Sequence, residues 1–145
     1  VPMVVRAPCG ALGIGPQHSQ VFTSWFMHVP GLRVAFPSTP ADAGGLMLAA
    51  LQHDGPTIFL EPKLLSESWL EFLGSGGRKT VQYDVPPEGA RGHVPQKWEP
   101  LPIGEALLRR GGNDVSIVSV GVGVHRALQA AGVLQKEEYR QVCWP

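Results

Sequence analysis

A chain of 145 residues that is 43% hydrophobic and carries 12 basic and 12 acidic side chains is globular in composition, which excludes disordered and fibrous classes. Zero formal charge, with only the short pairs Arg78-Lys79 and Arg109-Arg110, lacks the footprint of a nucleic-acid binder. No apolar run approaches the roughly 20 residues needed to cross a membrane, and the first residues do not have the pattern of a signal peptide.

The expectation is therefore a soluble, cytoplasmic protein with neither nucleic acid nor membrane as a partner. Cys9 and Cys143 have no nearby cysteine, so they suggest no CxxC pair or thiolate zinc site and read as reduced. Val1 is not an initiating methionine and lies inside an apolar stretch. The chain stops at Pro145 directly after a predicted helix, where an α/β unit is expected to supply its next strand. Both ends read as those of a piece.

Val1 to Ala7 has the β-branched content of a buried strand, and Gly10, Gly13 and Gly15 follow it. A helix is expected from Pro16–Ser19 to about His28, then a second strand over Leu32 to Phe36. Thr39 followed by Pro40 is a helix start. In that helix Ala43, Leu46, Met47, Ala50 and Leu51 form an apolar stripe suited to a sheet. Gly44 and Gly45 weaken the helix and permit a close approach. Asp54, Gly55 and Pro56 end it, and Thr57 to Leu60 is a third strand. The β-α-β-α-β alternation predicts an α/β fold, a parallel sheet covered by helices.

From Ser66 to Pro100, glycine and proline interrupt every period, as in a linker or surface excursion, with Trp69, Leu70, Phe72 and Leu73 as an apolar cluster that could dock it. Val115 to Val120 is a strand. Val124, Ala127, Leu128, Ala131 and Leu134 make a helical stripe, so a second α/β unit starts here.

The sharpest chemical feature is Gly13-Ile14-Gly15-Pro16-Gln17-His18-Ser19-Gln20, a flexible turn feeding a predicted helix N-terminus, where free N–H groups and the dipole favour negative charge. His18 at that mouth could donate to an oxyanion or shuttle a proton near neutral pH. It could equally cap its own helix, and spacing alone leaves the capping role ahead. Neither G-x-G-x-x-G nor G-x-x-x-x-G-K-[ST] is present, and the other histidines have no metal-ligand spacing. Glu61 and Lys63 fall at the carboxyl end of a strand, where open α/β sheets bind ligands, although a surface Glu/Lys salt bridge is the commoner outcome. Ser19 and Ser24 lie near His18 without a G-x-S-x-G elbow, which disfavours hydrolase chemistry.

Several ordered motifs carry a family resemblance. They are Gly15 to Gln20, His28-Val29-Pro30-Gly31-Leu32-Arg33-Val34, Pro37-Ser38-Thr39-Pro40-Ala41-Asp42-Ala43 and Ile58-Phe59-Leu60-Glu61-Pro62-Lys63. Pro102 to Ala106, Gly112 to Val115 and Val124-His125 continue them. In these the chain resembles the β subunit of the E1 component of thiamin-diphosphate-dependent 2-oxoacid dehydrogenases of the pyruvate and branched-chain type. The stretch from Ser66 to Pro100 is longer than that family's connector, and the likeness fades from about Tyr139.

The resemblance implies three parts: residues 1–65 as the C-terminal part of a transketolase-like pyrimidine-binding domain, 66–100 as the excursion, and 101–145 as the start of a C-terminal domain. It also implies decarboxylation of a 2-oxoacid and acyl transfer to a lipoyl group on the E2 acyltransferase. Thiamin diphosphate would be shared with an E1 α subunit that holds its diphosphate and magnesium, in an α2β2 assembly of the cytoplasm or the mitochondrial matrix. His18 takes the family's active-site histidine position, and Gln17 is a candidate cofactor contact. Some members bind potassium through backbone carbonyls that would map to Ala50, Leu51, His53 and Gly55.

The family's activating glutamate lies upstream of the region corresponding to Val1, and no acidic residue precedes Asp42. The 145-residue piece is therefore expected to be inactive alone. The alternatives are another transketolase-like thiamin enzyme, or a non-catalytic α/β fragment in which the excursion is the working surface.

Overall fold

The computed structural model describes residues 1–10, 15–66, 91–137 and, through their backbone, 141–144. It comprises two compact units, Val1–Ile103 and Gly104–Pro145.

The first unit contains β1 (Met3–Cys9), α1 (Thr23–Met27), β2 (Arg33–Ala35), α2 (Pro40–Gln52) and β3 (Pro56–Pro62). All three strands are parallel, in the order β1-β3-β2, with Val5 opposite Ile58 and Val34 opposite the same Ile58. The sequence explains the central place of β3. Its run Thr57-Ile58-Phe59-Leu60 is buried residue after residue, as a strand covered on both faces requires. By contrast β1 is an edge strand, with Met3 54% and Val5 39% exposed, rather than the buried strand its β-branched residues suggested. On one face Cys9, Ile58 and Leu60 form a core closed by Ala7, Val34, Phe36 and Phe26 of α1.

The helix expected from Pro16 to His28 is replaced by two short pieces, a 3-10 turn at Pro16–His18 and the five-residue α1. The Ser19 hydroxyl donates back to the Gly15 carbonyl, and the Gly10 N–H takes the Gln20 carbonyl, so the backbone is drawn onto the sheet edge instead of continuing helically. There is accordingly no long helix dipole behind His18.

The second helix starts as expected. Thr39 Oγ1 accepts from the Asp42 N–H at 3.1 Å, and Pro40 occupies the first turn. The expected apolar stripe is displaced, since Leu51 is 65% exposed while Asp42, Gly45 and Ala50 are buried. What moved it is the close approach that Gly44 and Gly45 allow. A Cβ at Gly44 would lie 2.1 Å from a Trp98 ring carbon, and one at Gly45 would lie 2.6 Å from Leu101 Cγ. The Leu101 N–H also bonds the Gly45 carbonyl at 3.0 Å. Residues 98–101 thus lie directly on α2. The proposed docking cluster Trp69, Leu70, Phe72 and Leu73 falls outside the described residues.

In the second unit β4 (Val115–Val118) leads to α3 (Val122–Lys136) and then β5 (Gln141–Trp144). The strand ends before Val120 because Gly121 turns the chain at φ 55° ahead of α3. Ala127 and Ala131 of the expected stripe pack with Leu128 on Ile117 of β4. A strand does follow this helix, contrary to expectation. β5 pairs parallel with β4 from Val115–Gln141 to Val118–Trp144, completing a β-α-β unit from a short run with strand-forming Val142 and Trp144.

Candidate functional site

Parallel sheets gather their chemistry at the carboxyl ends of the strands. In the first unit those ends are Cys9 of β1, Ala35 of β2 and Pro62 of β3. The backbone leaves β1 through Gly10 and returns across the same edge as the Pro16–His18 turn. Gly15 enters that turn at φ 110°, a conformation other side chains rarely adopt, and a Cβ there would meet the Gln17 amide oxygen at 3.0 Å. The His18 N–H bonds the Gly15 carbonyl at 3.3 Å and the Ser19 N–H bonds the Pro16 carbonyl at 3.4 Å.

The turn therefore has a fixed shape, with the side chains of Gln17 and His18 both exposed. Among the described residues the His18 imidazole has no hydrogen-bond partner, so it does not cap its own turn. A neutral imidazole offers one donor and one acceptor, which suits it to bind an oxyanion or pass a proton.

Glu61 and Lys63 do not form the surface pair expected of them. The chain leaves β3 at Pro62 and enters a second 3-10 turn, Lys63–Leu65, which carries the Lys63 side chain inward to 3% exposure. Its amine donates to the carbonyl of His18. Glu61 instead receives Arg6 Nε at 2.6 Å, and this partner holds the guanidinium above its ordinary pKa. The signal for that pairing was a lone arginine inside the apolar β1, but its match lay 55 residues away. Burial pushes the Cys9 thiol up to about 11, a rise that Lys63 opposes and Glu61 reinforces.

Arg6 and Glu61 also line a cleft of about 320 Å3 together with Ser38, Thr39, Phe59 and Ser66, at the start of α2. The carbonyl-bearing residues Ala50, Leu51, His53 and Gly55 lie elsewhere, at the entry to β3, with the strand's length between them and Lys63. There the Ala50 carbonyl accepts the His53 N–H at 3.3 Å. The His53 ring folds over Gly55, its Nε2 2.7 Å from where a Cβ would stand. The structure thus does not bring this group together with His18. Among the described residues no three His, Cys, Asp or Glu side chains cluster as metal ligands, and no helix is long and apolar enough to cross a membrane.

Comparison with known proteins agrees with this architecture. Residues 1–67 match the family described as transketolase, pyrimidine binding domain. The β subunit of acetoin:2,6-dichlorophenolindophenol oxidoreductase from Cupriavidus necator is 42% identical over 137 residues, covering 94% of this chain and 34% of the relative. The mitochondrial pyruvate dehydrogenase E1 component subunit β-2 of Oryza sativa is 41% identical over 142 residues, covering 94% of this chain and 32% of the relative. The mitochondrial human pyruvate dehydrogenase E1 β subunit is 36% identical over 138 residues, covering 94% and 33%. The chain thus spans about a third of the length of the curated relatives it matches.

A split-gene transketolase, solved as an inactive β4 tetramer, superposes with a TM-score of 0.65 at 19% identity, over 97% of this chain and 38% of that one, and shares the fold. Residues 1–67 thus belong to the transketolase pyrimidine-binding domain family, and over 94% of its length the chain is similar to β subunits such as those of the pyruvate dehydrogenase E1 component.

Proposed function

We propose that this chain is the part of an E1 β subunit that presents His18 to the active site during oxidative decarboxylation of a 2-oxoacid, pyruvate or a branched-chain analogue, with acyl transfer to lipoyl-E2. The observation that carries the reading is an exposed imidazole without a hydrogen-bond partner among the described residues, on a turn fixed to the carboxyl edge of a parallel sheet. His18 is free to donate to a developing oxyanion or to receive a proton from an incoming thiol, and Gln17 beside it offers an amide for the same pocket.

Thiamin diphosphate supplies the electron sink that decarboxylation of a 2-oxoacid needs. The residues present fit only one side of its site. His18 and Gln17 can meet substrate or the pyrimidine edge, while the strand-end carboxylate Glu61 pairs with Arg6. Magnesium and the diphosphate fall to an α subunit, and exposed Val21, Trp25 and Met27 around α1 offer apolar surface to such a partner. Potassium at the carbonyls of Ala50, Leu51, His53 and Gly55 would act on the fold and not on the chemistry, since those residues lie at the far end of β3 from His18. This reading implies an α2β2 assembly in the cytoplasm, or in the mitochondrial matrix of a eukaryotic cell.

The test is His18→Ala in the full-length β subunit assembled with its α partner. Loss of a general acid–base group lowers turnover by about 10²- to 10⁴-fold. Unchanged overall turnover would remove His18 from the mechanism.

A further inference from the structure

Lys63 is the least expected side chain at this edge. An ammonium is rarely buried unless bonded, because leaving water strips it of its hydration. Yet Lys63 is 3% exposed, and a bond from its amine goes to the backbone carbonyl of His18, a residue 45 positions earlier.

The bonds within the turn, His18 to Gly15 and Ser19 to Pro16 and Gly15, fix its shape but not its place on the sheet. Among the described residues two hydrogen bonds anchor it there. Gly10 donates its N–H to the Gln20 carbonyl at 3.1 Å, and Lys63 donates to His18. Only the second acts on the histidine itself. Holding the His18 carbonyl restricts the rotation of that peptide about the Cα, and with it the direction in which the Cα–Cβ bond projects the ring.

We infer that Lys63 is a positioning residue for His18: from the carboxyl end of β3 it locks the His18 peptide plane and so aims the exposed imidazole. The inference rests on the role proposed above for His18. Lys63 touches neither substrate nor cofactor in this account and acts on His18 through the turn. A group displaced by about 1 Å from its reacting partner can lose on the order of 10²-fold in rate.

The experiment uses the full-length β subunit in its α2β2 assembly, with Lys63→Met, which keeps the stem and deletes the donor. Turnover is expected to fall by about 10- to 100-fold with KM for the 2-oxoacid changed by less than about twofold, since the aim of His18 matters in the transition state. In a double-mutant cycle the loss is expected to vanish, so that Lys63→Met has no further effect on turnover once His18 is alanine. A structural lysine would lower turnover by the same factor in both backgrounds, and that result overturns the inference.

A second readout separates this claim from the role of His18. By NMR and amide exchange, Lys63→Met is expected to shift the His18 ring resonances and speed exchange at Gly10 and Ser19 whatever the rate does. If His18→Ala is fully active while these shifts appear, the catalytic reading falls and the positioning stands. If neither the resonances nor the exchange moves, the positioning falls. Should Lys63→Met fail to assemble, Lys63→Gln, whose shorter amide stops short of the carbonyl, is read by the same criteria.

Discussion

The first unit contains two segments that are held in opposite ways, the helix α2 and the short turn from Gly15 to Gln20. The helix is fixed by neighbours in sequence and by close contact: a Thr39 cap, Pro40 in its first turn, and two glycines pressed against Trp98 and Leu101. The turn is fixed by polar groups from distant strands, Gly10 after β1 and Lys63 after β3. Close packing confers stability and tolerates no added volume. Polar tethers confer placement, and they leave the side chain they position open to solvent.

The largest expected effect lies on the packed side of that comparison. Gly44→Val would place atoms where the Trp98 ring now stands, at a 2.1 Å approach for the Cβ alone. Overpacking of this kind costs about 3 kcal/mol, and thermal unfolding should show it as a clear drop in Tm. Adding Trp98→Ala should return part of the loss. If Gly44→Val unfolds at the wild-type temperature, the segment over α2 contributes nothing and the contrast with the turn collapses.

A smaller effect belongs to the cap. Removing the Thr39 hydroxyl in Thr39→Ala leaves the Asp42 N–H without its 3.1 Å partner. The expected loss is about 1 kcal/mol in denaturant unfolding, with Thr39→Ser close to wild type because it retains the oxygen. Equal losses for the two variants would show that the methyl group, and not the cap, is what the helix needs.

This division also explains what could be read from the sequence. Thr39-Pro40, the glycine pair and the run Thr57 to Leu60 are local signals with local causes, and the parallel sheet, the cap and the close approach were all expected from them. The same local rules misread the turn, because Pro16 and its polar neighbours resemble a helix start until the tether from Gly10 to Gln20 is known. They misread Lys63 for the same reason. Two charges two residues apart suggest a pair, but the 3-10 turn that begins at Lys63 carries its amine inward, and their partners arrive from elsewhere. The exposure of Leu51 was hidden too, since only contact with Trp98 and Leu101 decides which face of α2 is buried. The second unit's last strand was missed because Gln141 to Trp144 is too short to show a period. The family resemblance singled out His18 where spacing alone favoured a cap, and that assignment rests on likeness to the family, not on a local signal.

At the turn's own edge, pH offers a finer probe. Burial raises the Cys9 thiol from 9.0 to about 11, so the fold favours the neutral form. That contribution is whole below pH 9 and is lost as pH rises through about 11. Wild-type stability should therefore fall relative to Cys9→Ala across this alkaline window and run parallel to it below. Curves that stay parallel to pH 11 would mean the thiol is not desolvated where β1 meets the turn. At neutral pH Cys9, located by peptide mapping, should resist alkylation until the protein unfolds, since the thiolate is the reactive form.

The weakest expected effect comes from the Arg6–Glu61 pair, although its 2.6 Å contact is the shortest strand-to-strand ion pair described in this unit. Its side chains are 66% and 31% exposed, so water and salt screen the attraction and the order imposed on two long side chains offsets much of what remains. Arg6→Ala should shift the unfolding midpoint less than Thr39→Ala does, and about 1 M salt should erase the difference from wild type. Lys63 is the reverse case, a polar tether almost wholly shielded from water, so substitution there should be insensitive to salt. Measuring both variants across ionic strength sorts polar contacts by burial instead of by length. If Arg6→Ala proves as costly as Thr39→Ala and as indifferent to salt as Lys63→Met, then polar contacts at this edge stabilise as well as place, and the contrast between turn and helix does not hold.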